Sequence, residues 1–246
     1  LRGTGVGIDY AGLQLRGTLT DCRIEHLTFE GDGQVASDQG AIWSNGDINI
    51  TNLHIEVCII RDCVVGIVIS GLAGDSVIGC RIAGNHISNI VGTASGQGYG
   101  IASSLGGLQH VNNIITENVL QRCHRHSIYW SVGGGGIISN NVIIEHRHGD
   151  VSPGFTLGAL IVIRSGQVSV IGNRIHEAND TGMEIGSDVG NPESSVAVIG
   201  NQFYQPQNNY PDILIGQSNP AVTGFPQNIT IIGNCHSFFT SSSISN

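Results

Sequence analysis

The chain is patterned as a series of short apolar runs separated by Asn- and Gly-containing turns, and two phrases repeat through most of it. The first is a small or polar residue, then Asn, then apolar residues close by. It occurs at Asn85 (GNHI), Asn118 (ENVL), Asn141 (NNVI), Asn173 (GNRI), Asn201 (GNQF) and Asn234 (GNCH). A degenerate copy stands at Cys58 (VCII) and a weaker one at His26 (EHLTF), and the successive spacings are 32, 27, 33, 23, 32, 28 and 33 residues. The second phrase reads as a strand: GIVIS at 66–70, GYGIAS at 98–103, HSIYWS at 126–131, GALIVI at 158–163, GMEIG at 182–186 and DILIG at 212–216, with GVGIDY at 5–10 and GAIWS at 40–44 earlier. A repeat of this length that varies only by insertions predicts a solenoid, in which each coil buries its apolar side by stacking on its neighbours. A sandwich would place Asn-Gly or Asp-Gly turns between most strands, and only Asn45-Gly46 and Asp32-Gly33 fit that description. The expectation is one all-β domain spanning residues 1–246, a single-stranded parallel β-helix of about eight coils, right-handed by the general preference of crossovers.

Like residues stack on like in such a fold. The six asparagines are expected to form a turn ladder, since the amide bonds turn backbone and tolerates left-handed geometry. Two positions further on, Ile60, Ile87, Leu120, Ile143, Ile175 and Phe203 should line the core, with Cys63, Ile90 and Cys123 equivalent to one another five positions on. His236, at the core position of the last copy, reads as the solenoid fraying. Period-two alternation in the second phrase sends Ile67, Ile69, Ile128, Trp130, Met183 and Ile185 inward. It leaves Val68, Ala102, Tyr129, Glu184 and Leu214 outside, with Ser70, Ser104, Ser131 and Arg164 at the strand ends.

Composition narrows the partners. Charged residues are 12% and the net charge is −9, with ten arginines and no lysine. Without a basic run to neutralise phosphates, nucleic acid is not an expected partner. No apolar run approaches the roughly 20 residues of a membrane helix. The chain starts at Leu1 without Met, as expected of a piece of a longer protein. The six cysteines lack metal-type spacing and sit among Ile and Val, where a thiol acts as a small hydrophobe.

Candidate chemistry concentrates in two stretches: Arg122-Cys123-His124-Arg125-His126-Ser127 and, one coil on, Glu145-His146-Arg147-His148-Gly149-Asp150. Each begins about four residues after its asparagine, so the two should stack above one end of the face that carries Tyr129, Arg164 and Glu184. A Glu two coils from Tyr129 would lie roughly 10 Å away. His126, Tyr129, Glu184 and Arg164 are the candidate catalytic residues; His124, Arg125, His146, Arg147, His148 and Asp150 are the candidate substrate contacts. Histidine suits acid–base work near neutral pH. Tyr129 beside an arginine suits β-elimination on a uronate, with the arginine countering the substrate carboxylate. Hydrolysis would instead need two carboxylates from Glu184, Asp180, Asp188, Asp150 and Glu145, roughly 6.5–9.5 Å apart for inversion. No cofactor or metal site is assigned; calcium is the ion that an acidic β-helix could use to bridge anionic sugars.

With GVGIDYAGLQLRG, IEHLTFEGDG and VIGNRIHEANDTGMEIGS, the chain resembles the pectate-lyase-like superfamily of right-handed parallel β-helices. Its opening LRGTGVGIDYAGLQL looks like the start of the β-helix in phage tailspikes and secreted depolymerases. HRHSIYWS looks like a histidine-plus-tyrosine strand of tailspike-like β-helices, with His126 and Tyr129 the matching positions. The resemblance implies a polysaccharide partner, cleaved by a lyase or glycoside hydrolase or simply bound by an adhesin or phage tail component. It also implies an extracellular or virion-associated setting and a possible homotrimer. The Gly-His-Gly and Arg-Ile-Lys motifs of polygalacturonases are missing, as are the Trp-x-Asp-His and Arg-x-Pro-x-x-Arg signatures of pectate lyases. Alginate-lyase relatives with a lysine base are excluded by the lack of lysine.

Overall fold

A computed structural model describes residues 12–33, 40–71, 74–92, 97–104, 109–131, 134–146, 159–164, 166–176, 181–186, 194–205, 211–216 and 228–238. Every described element is a β-strand and every pairing is parallel, in three sheets that run along the solenoid. The anchor sheet follows the repeated asparagine: Thr28–Glu30, Ile59–Arg61, His86–Ile90, Val119–Cys123, Val142–His146, Arg174–His176, Gln202–Gln205 and Cys235–Phe238. The face sheet holds the second phrase: Gly40–Thr51, Val65–Ser70, Tyr99–Ser104, His126–Ser131, Ile161–Ile163, Met183–Ile185 and Ile213–Ile215. The side sheet precedes each anchor: Arg23–Glu25, His54–Glu56, Arg81–Ala83, Asn113–Thr116, Gly135–Ser139, Gly166–Ile171, Ser194–Ile199 and Ile229–Ile232. Gly40–Thr51 is long enough to turn a corner, pairing through residues 40–44 with Val65–Ser70 and through 49–51 with Ser76–Ile78.

The parallel β-helix expected from the repeat is therefore the observed architecture. Two details differ. The segment 5–10 lies outside the described residues, and Leu13–Thr20 is the strand that pairs with Gly40–Thr51. On the first coil Thr28 pairs with Ile59, so Leu27, not His26, stands at the anchor position of Cys58.

His26 occupies the place before the anchor, and that place explains the corner. The side and anchor sheets are joined by two residues in all eight coils. The first is left-handed throughout: His26, Val57, Gly84, Glu117, Asn140, Gly172, Gly200 and Gly233 have φ between 54° and 65°. The second is Leu27 and Cys58 on the first two coils and the asparagine on the other six. Asn118 Oδ1 accepts from the backbone N–H and the side-chain amide of Asn85, at 3.0 and 2.9 Å. Its own Nδ2 donates to the Ile82 carbonyl and to Asn141 Oδ1, both at 3.0 Å. The pattern repeats through Asn141, Asn173 and Asn201 to Asn234. Each amide thus satisfies turn groups of its own and the adjoining coils, which buried polar groups require.

The inward rows fill the interior. Ile60, Ile87, Leu120, Ile143, Ile175 and Phe203 are all at most 1% exposed, as are Ile67, Ile128, Trp130, Met183 and Ile185. Burying such side chains contributes about 1.5–3 kcal/mol each before the cost of ordering the chain. Ile90 pairs with Cys123, and the Cys63 and Cys123 thiols belong to the core. None of the six cysteines is in a disulfide. Burial pushes the Cys63, Cys80 and Cys123 thiols up to about 12, so they stay protonated and inert at neutral pH.

Candidate functional site

The outer side of the face sheet is not the open surface that alternation suggests. Its outward row runs Trp43, Val68, Ala102, Tyr129, Val162, Glu184 and Leu214 in register. Val68, Ala102, Val162 and Glu184 are buried, Tyr129 is half-buried and Leu214 is exposed. Val64, Val65, Val68, Val91, Tyr99 and Ala102 form a second apolar cluster separate from the core, with Trp43 and Tyr129 packed against it.

On this cluster stands a stack of three rings. Tyr99 and His126 are register partners on adjacent coils, with centroids 5.4 Å apart and planes within 9°. Tyr129 stacks on Tyr99 at 5.3 Å and on His126 at 5.5 Å. The Arg125 guanidinium lies over the Tyr99 ring, 5.4 Å from its centroid, a cation–π arrangement. Strict alternation would send His126 inward with Ile128; instead its ring joins Tyr129 on the outer side. Gly98 permits the approach. It has φ +78°, its carbonyl accepts from the Arg125 N–H at 3.0 Å, and a Cβ there would press on Arg125.

His126 Nδ1 lies 2.7 Å from the Ala159 carbonyl. A carbonyl only accepts, so Nδ1 carries the proton and Nε2 is the basic nitrogen of the neutral ring. His124 is buried beside it in sequence, at 2% exposure.

Arg164 and Glu184 form a second group. Arg164 Nη1 donates to Glu184 Oε1 at 2.7 Å, with both side chains largely buried. A Cβ at Gly186 would stand 2.6 Å from Arg164 Nη1, so the missing side chain there makes room for the guanidinium. Glu184 lies in the row of Tyr129 but two coils away, with the fully buried Val162 between them. The register puts the two roughly 10 Å apart at the backbone.

The structure thus brings His126, Tyr129 and Arg125 together and pairs Arg164 with Glu184. Arg122 and Glu145 do stack, as their parallel offsets suggest, and bond at 3.1 Å, which places Glu145 on the anchor sheet. His146 ends its strand with its backbone in register with Cys123. Arg147, His148, Asp150, Asp180 and Asp188 lie outside the described residues. Tyr99 was missed as a site residue. The clue to it is its offset: it precedes Ile101 as His126 precedes Ile128. Among the described residues no three His, Cys, Asp or Glu side chains converge as a metal site would require.

Elsewhere His110 is a core histidine. It is 1% exposed, its Nδ1 lies 3.0 Å from Ser103 Oγ and 3.1 Å from Asn113 Nδ2, and burial lowers its pKa to about 4.

No protein-family model matches the chain, and no curated protein sequence matches it. Among solved structures it is similar to an alginate lyase from Paenibacillus sp. str. FPU-7, with a TM-score of 0.52 and 14% identity over 92% of this chain and 89% of that one. At that identity the likeness is one of fold.

Proposed function

We propose that this protein degrades a polysaccharide by β-elimination at an acidic sugar, using the ring stack on the face sheet. The observation that carries the reading is the fixed tautomer of His126 beside Tyr129 and Arg125. His126 Nε2 takes the proton from the carbon next to the uronate carboxyl. Arg125 faces that carboxylate and stabilises the charge that develops on it. The electron pair forms the new C=C bond as the C–O bond to the neighbouring sugar breaks, and the Tyr129 hydroxyl protonates the departing oxygen. Hydrolysis is less well supported, because the Glu184 carboxylate is engaged by Arg164. The alginate lyase of similar fold supports polysaccharide as the substrate class.

A second reading is a glycan-binding protein without catalysis. What favours it is that Tyr129 is the one ring of the three with an open part to offer a sugar, while Tyr99 and His126, the base of the elimination, are nearly covered.

The test is turnover on a panel of uronate-containing and neutral polysaccharides, following unsaturated-uronate absorbance and reducing ends together. Both signals are expected on a uronate polymer, and His126→Ala and Tyr129→Phe should each lower the rate about 10²–10⁴-fold. Reducing ends without the absorbance would rule out elimination, and unchanged rates in both variants would remove the ring stack from the reaction.

A further inference from the structure

The side sheet carries a second surface that the ring stack does not touch. Its outward rows change character along the solenoid. One row reads Arg23, His54, Arg81, then Ile114, Ile137, Ser169, Ala197 and Thr230. The next reads Glu25, Glu56, Ala83, then Thr116, Ser139, Ile171, Ile199 and Ile232. The first coils are knitted by ion pairs of Glu56 with Arg23 and Arg81, and His54 Nδ1 lies 3.4 Å from the same carboxylate. From Asn113–Thr116 to Ile229–Ile232 no outward side chain in these rows is ionisable, on a chain whose net charge is −9.

That uncharged stretch is concave. A depression of about 410 Å³ crosses five coils, roughly 19 Å at the strand spacing. Gly135 leaves one coil without an outward side chain at its edge, and the polar lining is Asn112, Gln167, Ser169, Ser195, Asn228 and Thr230. Four of the five coils present an amide or hydroxyl in the lining, and from Gln167 through Ser195 to Asn228 they follow one another at the strand spacing, close to the advance of one sugar residue in an extended glycan. Exposed Ile137 adds an apolar contact for the C–H face of a ring.

We infer that this depression binds an uncharged, linear glycan along the solenoid axis, as a holding site separate from the face sheet. The lining can give and accept hydrogen bonds with hydroxyls but has no charge to recognise a carboxylate or phosphate. A second copy of the chain is the poorer occupant. The lining is three residues wide, so the footprint of roughly 19 by 10 Å is well under half of the ~800 Å² per partner that a stable interface buries. The inference does not depend on the elimination chemistry, and its test reads binding alone.

The test is calorimetric titration of the full chain with neutral glucan, mannan and xylan oligosaccharides and with uronate oligosaccharides, alongside light scattering. Gly135→Gln fills the depression, and it should be tolerated because a Cβ there meets only the Gln167 carbonyl at 3.6 Å. Binding of at least one neutral oligosaccharide is expected, insensitive to salt, weakened at least tenfold by Gly135→Gln and by Ser195→Glu, and unchanged by His126→Ala. Lack of binding across the neutral panel overturns the inference, as does binding that survives both groove variants while circular dichroism shows them folded. Self-association abolished by Ile171→Lys would also overturn it and make the surface an interface between copies.

Discussion

Two corners of the same coil are built on opposite plans. Between side and anchor sheets the connection is two residues in every coil, a left-handed residue and then the anchor. Between anchor and face sheets it ranges from two residues, His124 and Arg125, to the fourteen of 147–160. The uniform corner holds the asparagine ladder, which satisfies backbone polar groups and fixes the stacking register. The variable corner holds His126 and Arg125 and the carbonyl of Ala159, where the shortest connection adjoins the longest. Insertions are tolerated where no ladder must be kept, so chemistry can be placed at one corner without disturbing the register set at the other.

The largest stability effect is expected on the face sheet that the variable corner feeds. Arg164→Met strands the buried Glu184 carboxylate and should cost about 3–5 kcal/mol in denaturant unfolding. The double variant Arg164→Met/Glu184→Leu should recover much of that loss. Equal losses in both would show that the pair is not what stabilises this end of the face.

At the uniform corner, Asn141→Ala removes the acceptor for two donors of Asn118 and the donor to the Ile115 carbonyl. The expected cost is about 2–3 kcal/mol, seen as a lower thermal midpoint. If the corner only fixes register, activity per folded molecule should be unchanged. A selective loss of activity would erase the distinction between the corners.

The smallest effect runs the other way. Val57 is a β-branched residue held at φ 54° and is 53% exposed. Five of its seven equivalents are Gly or Asn, four and one respectively… His26 and Glu117 being the others. Relieving the left-handed strain with Val57→Gly should stabilise the fold by up to about 1 kcal/mol. A destabilised variant would mean that the valine makes a contact worth more than the strain.

Much of this architecture was legible in the residues. Asn85, Asn118, Asn141, Asn173, Asn201 and Asn234 announced the ladder because a stacked fold places identical side chains in hydrogen-bonding reach of each other. Ile128 and Trp130 inside and Tyr129 outside followed from alternation alone. His26 was misplaced by one position because the first coil has Leu27, an apolar residue, where the third to eighth coils have Asn. The site was legible only in part. The dense Arg122–Ser127 stretch pointed to the right corner, but Tyr99 sits on another coil and contributes no local pattern of its own.

The sequence by itself determined the coil, its inward rows and its asparagine corner, because each depends on backbone periodicity and on short-range turn chemistry. Only the tertiary structure decided which outward positions are covered. Val68, Ala102 and Val162 are buried and Ile137 and Thr230 are not, although all five stand on the outer side of their sheets. Alternation specifies which side a residue faces. What lies over that side depends on packing between segments far apart in the chain, and that packing set the ring stack, the Arg164–Glu184 pair and the neutral groove.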